Sequence, residues 1–204
     1  MNQQRMAEAF GFFQAWLKSP LRVAAIAPSS RALASLITSE ISPKTGPVIE
    51  LGPGTGAFTR ALIARGVRQQ DLALIEFGSE FVAALQRQFP DADTIWMDAA
   101  RLRTVNLFGG RPAGAVVSGL PLLSMPKRKV IAILSSAFRH MRPDGAFYQF
   151  TYGPRCPIPA KILHHLELEA EWMGQTLANI PPAAVYRIQR RAPNTGIAFP
   201  STDR

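Results

Sequence analysis

Val48-Ile-Glu-Leu-Gly-Pro-Gly-Thr-Gly56 is the stretch whose reading decides the fold. A short apolar run ends beside an acid, and a turn with glycine at every second position follows. Beyond it Ala57, Phe58, Leu62 and Ile63 share one side of a helical pattern, and Arg60 and Arg65 the other, with Gly66 as the stop. The unit reads as strand, tight loop and helix. Glycine admits unusual φ and lets a ligand come close to the backbone. The spacing is Gly-x-Gly-x-Gly, whereas the dinucleotide fingerprint places its third glycine one residue later, where Ala57 stands. A compact nucleoside ligand without a pyrophosphate therefore suits the loop better than NAD.

Outward from this unit, strands and helices alternate. The pattern predicts strands at Val48–Leu51, Leu72–Glu76, Thr94–Met97, Ala115–Ser118 and Ala146–Thr151. Between them it predicts helices over Thr55–Arg65, Ser79–Phe89 and Lys127–Met141, the last ending near Pro143-Asp144-Gly145. Such an order implies an α/β fold with a parallel sheet covered on both faces. Leu166–Leu177 and Ala184–Arg190, around Pro181-Pro182, read as a terminal antiparallel pair. Ligands of this architecture lie at the carboxyl ends of the strands, which gathers the loops at 52–56, 76–78, 98–100 and 118–122. Glu76 closes the second strand, where an acid can take both ribose hydroxyls. Asp98-Ala99 closes the third, where Asp98 can receive an adenine amino group.

The chain has 204 residues, enough for one domain with a substantial core. No apolar run approaches the roughly 18 residues of a membrane span, and no secretory signal is expected at the start. Cys156 is the only cysteine, so neither an internal disulfide nor a metal cluster is expected. The formal charge of +9 points to an anionic partner. Residues 3–18 carry an aromatic helical stripe of Met6, Ala9, Phe10, Phe13, Trp16 and Leu17, flanked by Lys18 and Arg22. The reading is an interfacial helix that binds an anionic membrane reversibly with help from those basic residues. Ser29 or Ser30 is read as the cap of a helix starting near Arg31; alternatively this turn roofs the site and touches lipid phosphate or cofactor. Residues 1–31 then form a membrane-binding and roof segment, 32–191 the catalytic domain and 192–204 a flexible tail.

Together these residues resemble a known family. Glu50-Leu-Gly-Pro-Gly-Thr-Gly56 is similar to the first motif of class I S-adenosylmethionine-dependent methyltransferases, and Glu76 and Asp98 fall at that family's ribose and adenine contacts. Trp16–Ser30, Ser118-Gly-Leu-Pro-Leu-Leu123, Thr151-Tyr-Gly-Pro154 and Asn179-Ile-Pro-Pro182 resemble bacterial phospholipid N-methyltransferases, a likeness spanning residues 10 to 191. It implies a Rossmann-like, mostly parallel seven-stranded sheet with a terminal antiparallel strand pair, preceded by the amphipathic helix. It also implies S-adenosyl-L-methionine as cofactor. The implied substrate is phosphatidylethanolamine, methylated in up to three rounds toward phosphatidylcholine at the inner face of the cell membrane.

The cofactor residues expected are Glu50, Gly52, Gly54, Thr55, Gly56, Glu76, Phe77, Asp98, Ala99 and Ser118. Methyl transfer to an amine is an in-line displacement that asks for alignment more than acid–base catalysis. Tyr152 is the expected partner of the amine, its hydroxyl accepting a hydrogen bond and its ring holding the methylated cation. Backbone carbonyls at Ser118, Gly119 and Leu120 are further acceptors. Arg155 and Lys161 are read as solvated surface charges or, alternatively, as partners of the lipid phosphate, and His140, His164 and His165 as structural or exposed, the last two in a linker. Two rivals stand beside this reading. An RNA adenine methyltransferase would stack a flipped base on an aromatic residue after Pro121, where Leu122 stands, so no nucleic-acid partner is expected. A non-catalytic membrane or adenosine-binding module would not need the intact Glu50, glycines and Glu76.

Overall fold

The structure, a computed structural model, describes residues 28–153, 155–177 and 182–192. Helix α1 (Pro28–Ile37) leads into strand β1 (Val48–Leu51), α2 (Ala57–Ala64), β2 (Leu72–Glu76), α3 (Ser79–Gln88) and β3 (Asp93–Trp96). β4 (Ala113–Ser118), α4 (Lys127–Arg139) and β5 (Met141–Thr151) follow, then α5 (Ala160–His165), β6 (Leu168–Thr176) and β7 (Ala183–Arg190). One seven-stranded sheet runs in the order β3-β2-β1-β4-β5-β7-β6. β1 to β5 are parallel, and β7 enters antiparallel between β5 and β6. The expected Rossmann-like, mostly parallel seven-stranded sheet is observed, terminal antiparallel pair included.

The sequence explains why the middle of the sheet is closed to water. β1 and β4 are buried at every position, as strands covered on both faces must be. Ile49, Leu51, Val116 and Phe147 pack under α4 and α5. Val48, Leu74, Val117 and Val185 pack under α1, α2 and α3. Strand order reverses between β1 and β4, and such a switch point leaves a crevice beyond the carboxyl ends of the two strands.

Several boundaries differ from expectation. α4 stops at Arg139, and His140 closes it with its ring nitrogen 3.0 Å from the Leu102 carbonyl oxygen. Pro143-Asp144-Gly145 is not a turn ahead of β5 but an irregular stretch inside it. The register passes from Ala113 opposite Met141 to Ala115 opposite Ala146, because proline brings no N–H to the ladder. His164 and His165 end the short helix α5 instead of lying in a linker. α1 begins at Pro28, ahead of both Ser29 and Ser30, so neither serine caps it from outside. Arg31 is an exposed residue of that helix. Phe10, Phe13, Trp16, Lys18 and Arg22 lie outside the described residues.

Candidate active site

At the switch point the loops after β1 and β4 touch backbone to backbone. A Cβ on Gly119 would stand 2.6 Å from the Gly52 carbonyl oxygen, and one on Gly52 2.8 Å from the Leu120 side chain. The φ angles of Gly52, Gly54 and Gly56 are all positive, so the loop turns in a way that L-residues resist. A cleft of about 300 Å³ opens beside this contact, at the lower end of the range for small-molecule sites. Gly52, Gly54, Glu76, Phe77, Asp98 and Ala99 line it, joined by Gly119 and Leu120.

Glu76 organises the floor. Its Oε2 accepts from the Gly54 N–H at 2.9 Å, and its Oε1 from the N–H groups of Phe77 at 2.8 Å and Gly78 at 2.7 Å. One carboxylate thus ties the β1 loop to the β2 loop, and the remaining lone-pair site, on Oε2, stays available for a hydroxyl donor. Asp98 caps the 3-10 turn that follows it, accepting from the Ala100 N–H at 3.0 Å, and takes Lys129 Nζ at 2.7 Å. Burial pushes the Asp98 carboxyl up, but the hydrogen bonds from Lys129 and Ala100, with the charges of Lys129 and Arg101, outweigh it and hold it below the usual carboxylate range. Phe77 leaves 72% of its surface open at the mouth.

Other predicted residues stand behind this wall. Glu50 is fully buried, with Oε2 accepting from the Thr59 hydroxyl at 2.7 Å and Oε1 without a partner. Burial pushes its carboxyl up to about 8. Gly56 is the left-handed residue opening α2, and a Cβ there would meet the Phe89 ring at 2.6 Å, so packing explains that glycine. The Thr55 carbonyl accepts from Arg60. Ser118 is buried, its hydroxyl accepting weakly from the Leu120 N–H at 3.3 Å. The Leu120 carbonyl, read as an acceptor for the amine, already receives Gln149 Nε2 and the Leu122 N–H, both at 2.9 Å.

Tyr152 is placed differently from expectation. Its ring meets Phe150 edge-on at 5.4 Å, and Phe150 meets Phe58 at 5.8 Å, so it joins the α1–α3 face and not the cleft wall. Burial pushes its phenol up and keeps it neutral, able to exchange hydrogen bonds but not to act as a base at neutral pH. Arg155 is exposed in the loop after β5, and Lys161 is exposed on α5.

Lys129 and Gln149 were missed. A lysine two residues into a helix carries no local signal of a partner 31 positions away. Gln149 lies opposite Ser118 in the β4–β5 ladder, 1% exposed, and also donates to the Phe150 carbonyl at 2.9 Å. Gln149→Leu keeps the bulk and removes both donations. It is expected to lower stability by about 1–3 kcal/mol and to reduce kcat more than cofactor affinity, read by urea unfolding, steady-state kinetics and calorimetry. Unchanged kcat would show that the tether of the Leu120 loop is only structural.

No protein-family model matches the chain. An ornithine lipid N-methyltransferase from Singulisphaera acidiphila is 27% identical over 186 residues, covering 89% of this chain and 95% of the relative. Among solved structures, a TehB-like S-adenosylmethionine-dependent methyltransferase from Corynebacterium glutamicum superposes with a TM-score of 0.61 at 15% identity, covering 91% and 99% of the two chains. The glycopeptide N-methyltransferase MtfA gives 0.60 at 13% identity, covering 79% and 90%. The chain has the fold of the class I S-adenosylmethionine-dependent methyltransferases. S-adenosyl-L-methionine is bound in one of the superposed MtfA structures. The cleft of this chain fits that group, with a glycine cradle that a Cβ would fill and a carboxylate on its floor. The resemblance to bacterial lipid N-methyltransferases holds along most of the chain.

Proposed function

We propose that this methyltransferase N-methylates the primary-amine headgroup of a membrane lipid at the inner face of the cell membrane. The substrates are phosphatidylethanolamine and its mono- and dimethyl forms, and the product is phosphatidylcholine. The observation that carries the lipid reading is the near full-length likeness to a lipid N-methyltransferase. In this reading Glu76 receives a ribose hydroxyl, Phe77 covers the adenine and Asp98, steadied by Lys129, meets the adenine amino group. Glu50 acts from behind, holding β1 to α2 through Thr59. The bound cofactor supplies a methyl group on a positively charged sulfur, and the protein's task is alignment. Loop 118–121 and the neighbouring end of β5 frame the acceptor side. Tyr152 offers a neutral hydroxyl and an aromatic face there, and Arg155 a charge for the lipid phosphate. Leu122, where a flipped base would need an aromatic platform, is an aliphatic side chain 2% exposed and packed in the core.

The relative favours a second substrate, ornithine lipid, which also presents a primary amine. Incubation with methyl-labelled cofactor and either lipid in mixed micelles, followed by chromatography, separates the two. Label in mono-, di- and trimethylated phosphatidylethanolamine is the expected result. Label confined to ornithine lipid would replace the substrate, and label in neither would end the lipid reading.

A further inference from the structure

Among the described residues, large hydrophobic side chains are exposed at five places: Phe77 (72%), Trp96 (66%), Leu123 (51%), Leu177 (72%) and Trp172 (56%). The first four share one location in the fold. Trp96 ends β3, Phe77 follows β2, Leu123 lies just beyond β4 and Leu177 follows β6. β2, β3 and β4 are parallel, and β6 runs with them because it is antiparallel to β7, which opposes β5. All four therefore stand on the carboxyl rim of the sheet, where the cofactor cleft opens. With β3 and β6 as the two edges, the row crosses the whole rim, roughly 29 Å at the usual strand spacing.

The opposite rim has none of the five. Its turns carry ion pairs instead, Asp71 with Arg68 and Arg111, and Arg142 with Asp144. Hydrophobic residues scattered at random need no explanation, but a row confined to one face does. Charge accompanies the row. The first turn of α4 is Lys127-Arg128-Lys129, although the positive end of a helix dipole favours acids there. Lys129 is neutralised by Asp98, whereas Lys127, Arg128 and Arg155 are exposed and make no ion pair among the described residues. Trp96 has the form of an interfacial anchor, its ring open and its Nε1 donating to the Phe77 carbonyl at 2.9 Å.

We propose that the carboxyl rim of the sheet is itself a membrane-docking face. Trp96, Phe77, Leu123 and Leu177 enter the headgroup boundary of an anionic bilayer, and Lys127, Arg128 and Arg155 meet its phosphates. This rests on the lipid-substrate reading for its purpose but not for its evidence. It goes beyond attachment by an N-terminal helix, because it orients the catalytic domain with the cleft mouth against the lipid.

The test uses the three tryptophans of the full chain, 16, 96 and 172. Trp16→Phe with Trp172→Phe leaves Trp96 as the reporter, and Trp16→Phe with Trp96→Phe leaves Trp172. Each variant is mixed with vesicles of phosphatidylglycerol and phosphatidylcholine carrying brominated acyl chains. Trp96 emission is expected to shift to the blue and fall roughly twofold, as for a ring at the headgroup level, while Trp172 stays unchanged. Leu123→Glu with Leu177→Glu is expected to weaken vesicle sedimentation roughly tenfold, about 1.4 kcal/mol, with methylation of detergent-dispersed lipid retained. Sedimenting protein with unquenched Trp96 overturns the proposal. A Trp96 already blue-shifted and shielded from acrylamide without vesicles also overturns it, and assigns the rim to the chain's own residues 1–27. Absence of sedimentation overturns the docking face while leaving the substrate reading to the micelle assay. Quenched Trp96 without methylation of any lipid supports the face and ends the substrate reading.

Discussion

Glu76→Ala is expected to abolish measurable cofactor binding, a loss of at least about 100-fold on the scale of a removed charged hydrogen-bonding group. The variant loses more than the proposed ribose contact. It orphans the N–H groups of Gly54, Phe77 and Gly78, which all end on this carboxylate. The Gly54 bond is buried and the other two are partly so, giving an expected destabilisation of about 3–5 kcal/mol at roughly 1–3 kcal/mol per orphaned donor. Calorimetry with S-adenosylmethionine and urea unfolding read the two effects separately. Glu76→Gln keeps acceptor capacity for part of the amide set and should recover much of the stability but not the affinity. Unchanged affinity in Glu76→Ala would remove the ribose assignment. Liposome binding should largely survive, since of the residues proposed to meet the membrane only Phe77 is held by this carboxylate.

The second large effect is a pH dependence set by Glu50. Its carboxyl titrates at about 8 when folded, against an ordinary value of 4.5, because burial disfavours the charge. The Thr59 hydrogen bonds and the Arg60 charge offset this only in part, and the Glu76 charge adds to it. Between those values the folded state holds a proton that the unfolded chain has released, so stability falls as pH rises. The contribution is fully present below pH 4.5 and is lost as pH climbs through 8. The span is on the order of 5 kcal/mol. Glu50→Gln carries no titrating group and should flatten the profile, matching the native chain near pH 5 and exceeding it near pH 8. Urea unfolding across that range checks this; parallel profiles for the two proteins would show that Glu50 is not the source.

The contrast between these two acids shows what a sequence carries. Both were read from their distance to the glycine loop, and both stand at strand positions beside it. Both have the same strand parity, since Glu50 lies opposite Leu74 and Glu76 two residues beyond it, so position along the strand separates their work. Glu76 sits at a strand end where loops diverge and a ligand can enter, whereas Glu50 sits one residue inside β1, facing α2, where only Thr59 reaches it. The three glycines divide in the same way: Gly52 and Gly54 line the cleft, while Gly56 makes room for Phe89. Tyr152 follows β5 as expected, yet its ring turned to Phe150, because aromatic packing on the α1–α3 face was not visible in the local pattern.

The amino-acid sequence alone determined the strand–glycine loop–helix unit, the alternation behind it, the terminal antiparallel pair and the placement of Glu76 and Asp98 at strand ends. Those are consequences of local periodicity and spacing, which the chain carries wherever it folds. Only the tertiary structure decided that β7 inserts between β5 and β6, that Gly119 presses on Gly52, that Lys129 pairs with Asp98 and that Gln149 holds Leu120. It also decided which hydrophobic side chains share the cleft's rim. Each of these joins residues far apart in sequence across the sheet, and such contacts depend on strand order, which short-range periodicity does not encode.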